Sequence, residues 1–429
     1  MPNRKLLRKN QRMNKALLIK GGRLVDPARK ISRVGNLLIK DDKISWVSEG
    51  RENPVGKAYD TLTAKGLIVC PGLIDFHCHL REPGFESKET IATGTKAAAY
   101  GGFTTICCMP NTRPPLDSAE MIVAVKNKAE QEGMVQVFPI GCVTKGRKGK
   151  ALIYMEPLVK AGVVGFSDDG DPVRTAKLME EALEIGKMFN LPVIDHCEEP
   201  NGGPPEGEEK IVARDLEVAE KTKGWVHIAH VSTAGTVELI RQAKKKGVKV
   251  TAEATPHHLL LTADMIEKRG SLAKVNPPLR TEADRQALVA GIKDGTIDII
   301  ATDHAPHTMQ EKQRPFADAP AGISGFDTAV GSLMWLVQSK QLTLTELIAC
   351  LTNKPAAILN KPLGSFVVDS VANITIIDPN KEWVVDVNKF ISLGKNTPLA
   401  GAKLTGKVVA TIYQGNLVYK DDSVIIGLR

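Results

Sequence analysis

The sequence predicts an α/β protein, a (β/α)8 TIM barrel carrying a small β-sandwich domain built from both termini. Three observations lead there. Strand-like and helix-like runs alternate through the centre of the chain, both ends are rich in short strands broken by Gly, Asn and Asp, and no glycine-rich phosphate loop follows any strand. The missing phosphate loop argues against an open doubly wound sheet. With 429 residues, 42% of them apolar and 25% charged, the chain has enough material for a large core and a soluble surface. It contains no apolar run long enough for a membrane-spanning helix.

Residues 1–15 read as a solvated, disordered basic arm. The first 30 residues hold ten Lys or Arg against the single acid Asp26, so the net charge of +8 sits almost wholly at the N-terminus and the rest is near neutral. No aromatic side chain interleaves with those charges, which argues against a nucleic-acid partner. The apolar stretch Ala16 to Ile19 is too short for a secretory signal. Residues 16–68 and 365–429, with runs such as KALLIKGGRLVD and GKVVATIYQGNLVYK, form the composite β domain, and 69–364 form the barrel.

Within the barrel the eight strands are read in LIVCPGLIDFHCH, GGFTTICCMP, VQVFPIGCV, AGVVGFSDD, LPVIDHCEE, WVHIAHVS, VKVTAEATPHH and TIDIIATDHAP. Helices are read in ETIATGTKAAAYG, AEMIVAVKNKAEQEG, TAKLMEEALEIGKMFN, IVARDLEVAEKTKG, TVELIRQAKKKG and EADRQALVAGIKDG. Chemistry on such a fold is expected at the C-terminal ends of the strands. The segment from Thr308 to Gly322 shows neither period and reads as a substrate-covering flap or a surface excursion. Seven cysteines without a C-x-x-C pair read as reduced thiols in a cytoplasmic setting.

All nine histidines lie between residues 77 and 307, each in or just beyond a predicted barrel strand. His77 and His79 are two apart, so their side chains leave the same face of a strand and can reach one metal ion. Two imidazoles in an interior of Val, Ile and Leu carry a desolvation cost that a coordinated cation offsets. His196, His230 and Asp303 end strands five, six and eight, and Asp168 with Asp169 ends strand four. The remaining histidines read as packing: His227 against a helix, His257 and His258 as capping or supporting groups, and His304 turned away from the metal. Strand alternation turns Cys78 and Cys197 outward.

Seven strings carry a family resemblance: PGLIDFHCHLREPG, MPNTRP, FSDDG, DHCE, HVST, NPPLR and ATDHAPH. In order along most of the chain, they resemble the dihydroorotases of the bacterial class I type in the amidohydrolase superfamily. The resemblance implies two zinc ions per subunit, bridged by Asp169 and a hydroxide. His77, His79 and Asp303 match the ligands of one ion and His196 and His230 those of the other. Adjacent residues face opposite ways, so Asp168 stands as the alternative bridge. Substrate contacts carry over to His79, Arg81, Asn111, Asn276, His307, Ala321 and Gly322. Ala321 stands where many relatives have phenylalanine, which implies a looser wall beside the substrate.

The implied activity is reversible cyclisation of N-carbamoyl-L-aspartate to L-dihydroorotate in pyrimidine biosynthesis, with Asp303 moving the proton. A cationic metal pair beside Arg81 suits a carboxylated substrate. A hydantoinase, dihydropyrimidinase or allantoinase is the alternative enzyme, and a non-catalytic scaffold subunit is the alternative from another class. The resemblance further implies a cytoplasmic homo-oligomer with possible association to aspartate carbamoyltransferase, and neither a membrane nor a nucleic-acid partner.

Overall fold

The computed structural model describes residues 16–50, 52–54, 59–199 and 203–427, so the basic arm read at 1–15 lies outside the described residues. Seven parallel strands run around the barrel: Leu73–Cys78, Phe103–Cys108, Gln136–Pro139, Val193–Asp195, Val226–Ile228, Val250–Ala254 and Ile299–Ile300. The fourth position is filled by an extended segment whose Phe166 bridges Gly141 on one side and Val193 on the other. Its pairing is short because the chain leaves the sheet at once. Asp168 there replaces strand bonding by accepting from the Val143 and Thr144 amides at 3.0 and 3.1 Å. A bridge between Cys78 and His304 closes the ring.

Asp75 reinforces that closure. Its carboxylate accepts from the Thr302 amide at 2.6 Å and the Thr302 hydroxyl at 2.7 Å, tying the start of the Asp303 loop to the first strand. Burial pushes the Asp75 carboxyl up to about 7, opposed by the two Thr302 bonds. All six stretches read as helical form helices, among them Ile91–Tyr100, Ala119–Glu132, Ala176–Phe189 and Ala234–Lys245. Their starts are set by Thr90, Ser118, Thr175 and Thr233, whose hydroxyls accept from backbone amides of the first turn. Four further helices, Met309–Lys312, Ala329–Gln338, Leu344–Leu351 and Asn353–Ile358, follow the last barrel strand.

The strand run LIVCPGLIDFHCH divides at Gly72. Ile68–Pro71 pairs with Ala16–Asp26 and with Ile374–Val384 in a nine-stranded sheet drawn from both ends of the chain, and Leu73–Cys78 enters the barrel. That sheet has its own core, including Leu17, Ile19, Leu37, Ile39, Ile374 and Ile412. Burial alternates along Lys403–Val408, the period-two pattern of a strand covered on one side, and Val408–Ile412 are buried throughout, covered on both sides. A tight approach couples the sheet to the barrel: Thr375 Oγ1 donates to the Gly102 carbonyl at 2.5 Å. No helix among the described residues is long and apolar enough to cross a membrane.

Candidate active site

The C-terminal ends of the strands gather His77, His79, Asp169, His196, His230 and Asp303 around one point. Asp169 lies at its centre. One carboxylate oxygen is 3.3 Å from His77 Nε2, 3.7 Å from His196 Nδ1 and 3.8 Å from His230 Nε2, and the other is 3.6 Å from His79 Nε2. Asp303 Oδ1 lies 3.0 Å from His79 Nε2 and 3.6 Å from His77 Nε2. Asp168 points to the loop after the third strand, as above, so of the two adjacent aspartates only Asp169 faces the histidines.

The partners on the far side of each ring decide which nitrogen points inward. His77 Nδ1 donates to Glu253 Oε1 at 2.6 Å, leaving Nε2 without a hydrogen-bond partner although it is buried. His79 Nδ1 donates to Asn111 Oδ1 at 2.9 Å, and His196 Nε2 faces Glu198 at 3.4 Å. His230 turns Nε2 inward, 2.8 Å from His196 Nδ1, and its Nδ1 on the far side is buried without a partner. Burial disfavours charge on His77, yet Glu253 and Asp169 outweigh it and lift its pKa well above the usual imidazole value. Burial also opposes ionisation of Asp303, but His79, His77 and His230 hold its carboxyl well below the ordinary range. Such a pocket favours a bound cation.

Two groups of donors, His77 with Asp169 and His230, and His77 with His79 and Asp303, each bring ligand atoms within 4.8 Å of one another. Imidazole nitrogens and carboxylate oxygens in this ratio, with the inward His77 Nε2 buried and without a partner and His196 Nδ1 only 2.8 Å from His230 Nε2, fit a zinc-type centre. A carboxylate behind an imidazole, as Glu253 is behind His77, orients the ring and raises its basicity.

Beside this cluster is a cavity of about 200 Å3, lined by His79, Arg81, Asn111, Asp169, His196, His230, Asn276, Asp303, His307, Ala321 and Gly322, together with Gly170 and Ala305. Every residue read as a substrate contact borders it. Asn111 Nδ2 donates to Asp169 Oδ2 at 3.0 Å. His307 Nε2 donates to the Ala321 carbonyl at 2.9 Å and its Nδ1 accepts from Lys88 at 3.3 Å. Burial, then the cations of Arg81 and Lys88, keep that ring neutral by drawing its pKa far down. The Arg81 guanidinium donates from Nε to the Pro306 carbonyl at 3.1 Å and lies 3.2 Å from His307. Burial lowers its pKa only to about 10, so it stays charged at neutral pH. Among the described residues no carboxylate oxygen comes within 4.0 Å of it, the usual limit for an ion pair.

Three site residues, Arg81, His230 and Asp303, have left-handed backbone angles, with φ of 60, 32 and 43°. Each lies where the chain bends out of its strand, and left-handed non-glycine residues cost free energy that functional sites commonly retain. The bend explains one departure from expectation. His227 does not pack against a helix: it lies inside the barrel, 3.2 Å from Glu253 Oε2, with its ring 5.0 Å from that of Phe76. Alternation fails between His227 and His230 because the strand ends at Ile228. His304 does turn away, bonding Glu89 at 3.3 Å and stacking on Phe326. His258 is a supporting group that bridges Thr255 Oγ1 at 2.8 Å and the Pro277 carbonyl at 2.9 Å beside Asn276. Cys78 faces outward, donating to the Cys107 carbonyl at 3.2 Å, and Cys197 packs 3.5 Å from Asp215 on helix Pro205–Thr222.

Sequence reasoning missed Glu253, although a glutamate within the apolar run VTAEAT is itself a signal. It missed Arg147 too, which donates to the Asp168 and Asp169 carbonyls and so holds the loop of the central carboxylate.

Comparisons with known proteins identify the family. The amidohydrolase family matches residues 68–418. The chain is 46% identical to a dihydroorotase of Acetivibrio thermocellus over 425 residues, covering 94% of this chain and 99% of that protein. A dihydroorotase of Thermoanaerobacter sp. is 45% identical over 426 residues, covering 95% and 98%. Among solved structures, the L-hydantoinase (dihydropyrimidinase) of Arthrobacter aurescens superposes with a TM-score of 0.86 at 25% identity, covering 96% of this chain and 97% of that one. The chain belongs to the amidohydrolase family and, within it, to the dihydroorotases. It is a hydrolase of the cyclic amide class.

Proposed function

We propose that the protein interconverts N-carbamoyl-L-aspartate and L-dihydroorotate, with zinc as the metal and the residues above in the following roles. The observation that carries this reading is the Arg81 guanidinium, charged, partly buried and without a carboxylate partner, at the edge of a cavity that also borders the metal-binding cluster. A guanidinium held away from its counter-ion fits a ligand that brings one, and the planar fork suits a carboxylate. Dihydroorotate has a ring carboxylate, and the uncharged rings of hydantoin and dihydrouracil do not.

His77, His79 and Asp303 would hold one ion and His196 and His230 the second, with Asp169 shared. When bound, such a pair supplies Lewis acidity at the scissile carbonyl and lowers the pKa of water. The chain's own residues do the rest. Arg81 binds the ring carboxylate, while Asn111 and Asn276 set the orientation of the ring. His307, neutral and fixed to the Ala321 carbonyl, fills the wall without adding charge. During hydrolysis Asp303 accepts the proton of the attacking water and returns it to the departing ring nitrogen. In ring closure it takes the proton from the ureido nitrogen as that nitrogen attacks the carboxyl carbon and water leaves. The supporting observation is that its carboxylate is held ionised and faces the same point as His77 and His79.

A side-by-side assay tests the reading. Turnover of L-dihydroorotate is expected to exceed that of dihydrouracil by about two orders of magnitude or more, the value of a lost charged hydrogen-bond pair. Dialysis against a chelator should abolish it, and added Zn2+ should restore it. Equal rates on both rings would assign the protein to the hydantoinase-like alternative. Glu253→Gln weakens the acceptor behind His77, and its affinity for zinc is expected to fall about 10- to 100-fold. Competition with a chelating dye measures this, and unchanged affinity would remove Glu253 from the metal site. The cytoplasmic setting, the homo-oligomer and the association with aspartate carbamoyltransferase extend from the family resemblance alone.

A further inference from the structure

The segment from Thr308 to Gly322 contains a one-turn helix, Met309–Lys312, started by Thr308 and Glu311 in a reciprocal cap. Its last residue, Lys312, is 1% exposed. The ammonium donates to the carbonyls of Pro320 at 2.9 Å, Gly322 at 3.2 Å and Lys274 at 3.4 Å. Burial, and after it the charge of Lys274, draws its pKa down to about 7, and in the protonated form three donor hydrogens meet three backbone acceptors. Among the described residues no carboxylate lies within ion-pair distance of it. A buried ammonium without a counter-ion carries a desolvation cost that an apolar residue of the same length would avoid. Its acceptors show what it does there.

Lys274 lies two residues before Asn276, and Gly322 adjoins Ala321, so the three carbonyls belong to the two segments that form one side of the substrate cavity. The same segments are bonded directly, Gly322 N donating to Lys274 O at 2.9 Å. Gly322 O also accepts from Asn396 Nδ2 at 2.9 Å, and Asn396 Oδ1 accepts from the His307 amide at 2.8 Å. The chain has no slack at this point. Gly322 has φ of 136°, and a Cβ there would fall 2.7 Å from the Ala305 carbonyl oxygen. On the solvent side Lys274 Nζ donates to the carbonyls of Phe316 and Ala317 at 2.7 and 2.9 Å, fastening the rest of the segment.

We propose that Lys312 is a positioning residue that sets the width of the ring pocket, clamping the segment of Asn276 against that of Ala321 and Gly322 from behind the wall. This rests on the reading of those three residues as substrate contacts. Lys312 does not line the cavity, so its effect passes through the backbone it holds.

The test is Lys312→Met, which keeps the length and apolar stem and removes the ammonium, together with Lys312→Gln, which keeps two donor hydrogens. Amide hydrogen exchange is followed by mass spectrometry in peptides covering 272–278 and 319–325, and kcat, KM and metal content are measured with L-dihydroorotate. For Lys312→Met, exchange at the Gly322 amide is expected to accelerate about tenfold or more, and KM to rise about tenfold while kcat changes less than about threefold. Metal content should stay at the wild-type level, and Lys312→Gln should restore part of both effects. Unchanged exchange overturns the clamp. Faster exchange with wild-type KM, or a fall in kcat alone, overturns its role in the pocket. If Lys312→Met does not fold, Lys312→Gln is judged by the same two criteria. Wild-type protein inactive on dihydroorotate would overturn the functional reading and the pocket role with it, while the exchange measurement, which needs no substrate, still decides the clamp.

Discussion

Asp303→Asn is expected to lower kcat by about 10²–10⁴-fold in both directions, the range typical for loss of a positioned general acid or base. The amide keeps the size of the side chain and an oxygen able to face His79, so the wall of the site should persist. The left-handed backbone at this position, φ of 43°, is one that asparagine tolerates better than most residues, so the change adds little strain. What is lost is the ability to take up and release a proton. The equilibrium constant fixes the ratio of kcat/KM in the two directions, so the loss must be seen from both sides, and what identifies the proton carrier is a fall in kcat with zinc still bound. Initial rates from each side, with elemental analysis of the variant, check this. A fall in zinc content that accounts for the whole loss would reduce Asp303 to a ligand, and near-normal turnover with zinc bound would remove it from the chemistry.

Much of this site was legible because its residue types are improbable where they stand. Two histidines spaced by one residue at the end of an apolar strand call for a cation, and the same reasoning applies to His196, His230 and Asp303. His77 and His79 come together with help the sequence does not display. A register irregularity between Asp75 and Cys78 lets His77 reach the barrel axis beside Phe76, where strict alternation would have separated them. The two aspartates of FSDDG could not be told apart for a related reason: the fourth strand is a single bridged residue, Phe166, so alternation has no register to act on beyond it. His227 was misplaced by extending a strand past Ile228. Lys312 was beyond reach altogether, because its partners are backbone carbonyls at 274, 320 and 322, and nothing in the type or spacing of those residues marks them as acceptors.

Arg81→Met separates the choice of substrate from the chemistry. A hydrogen bond to a charged group contributes roughly 1.5–3 kcal/mol, so losing a two-pronged contact to a carboxylate should lower kcat/KM for L-dihydroorotate by about 10²–10³-fold. For dihydrouracil, which has no ring carboxylate, the change should stay within about threefold, so the variant would lose most of its preference between the two rings. Arg81→Lys should fall between, because an ammonium supplies the charge without the planar fork. Stability offers an independent check. The guanidinium has no carboxylate partner among the described residues, only the Pro306 carbonyl at 3.1 Å and the His307 ring at 3.2 Å. Removing a cation held at the edge of the core without a counter-ion relieves a desolvation cost, so the thermal midpoint of Arg81→Met should equal or exceed that of the wild type. Equal losses on both rings would show that Arg81 supports the site as a whole, and a marked drop in the midpoint would show that its bond to the Pro306 carbonyl serves folding rather than recognition.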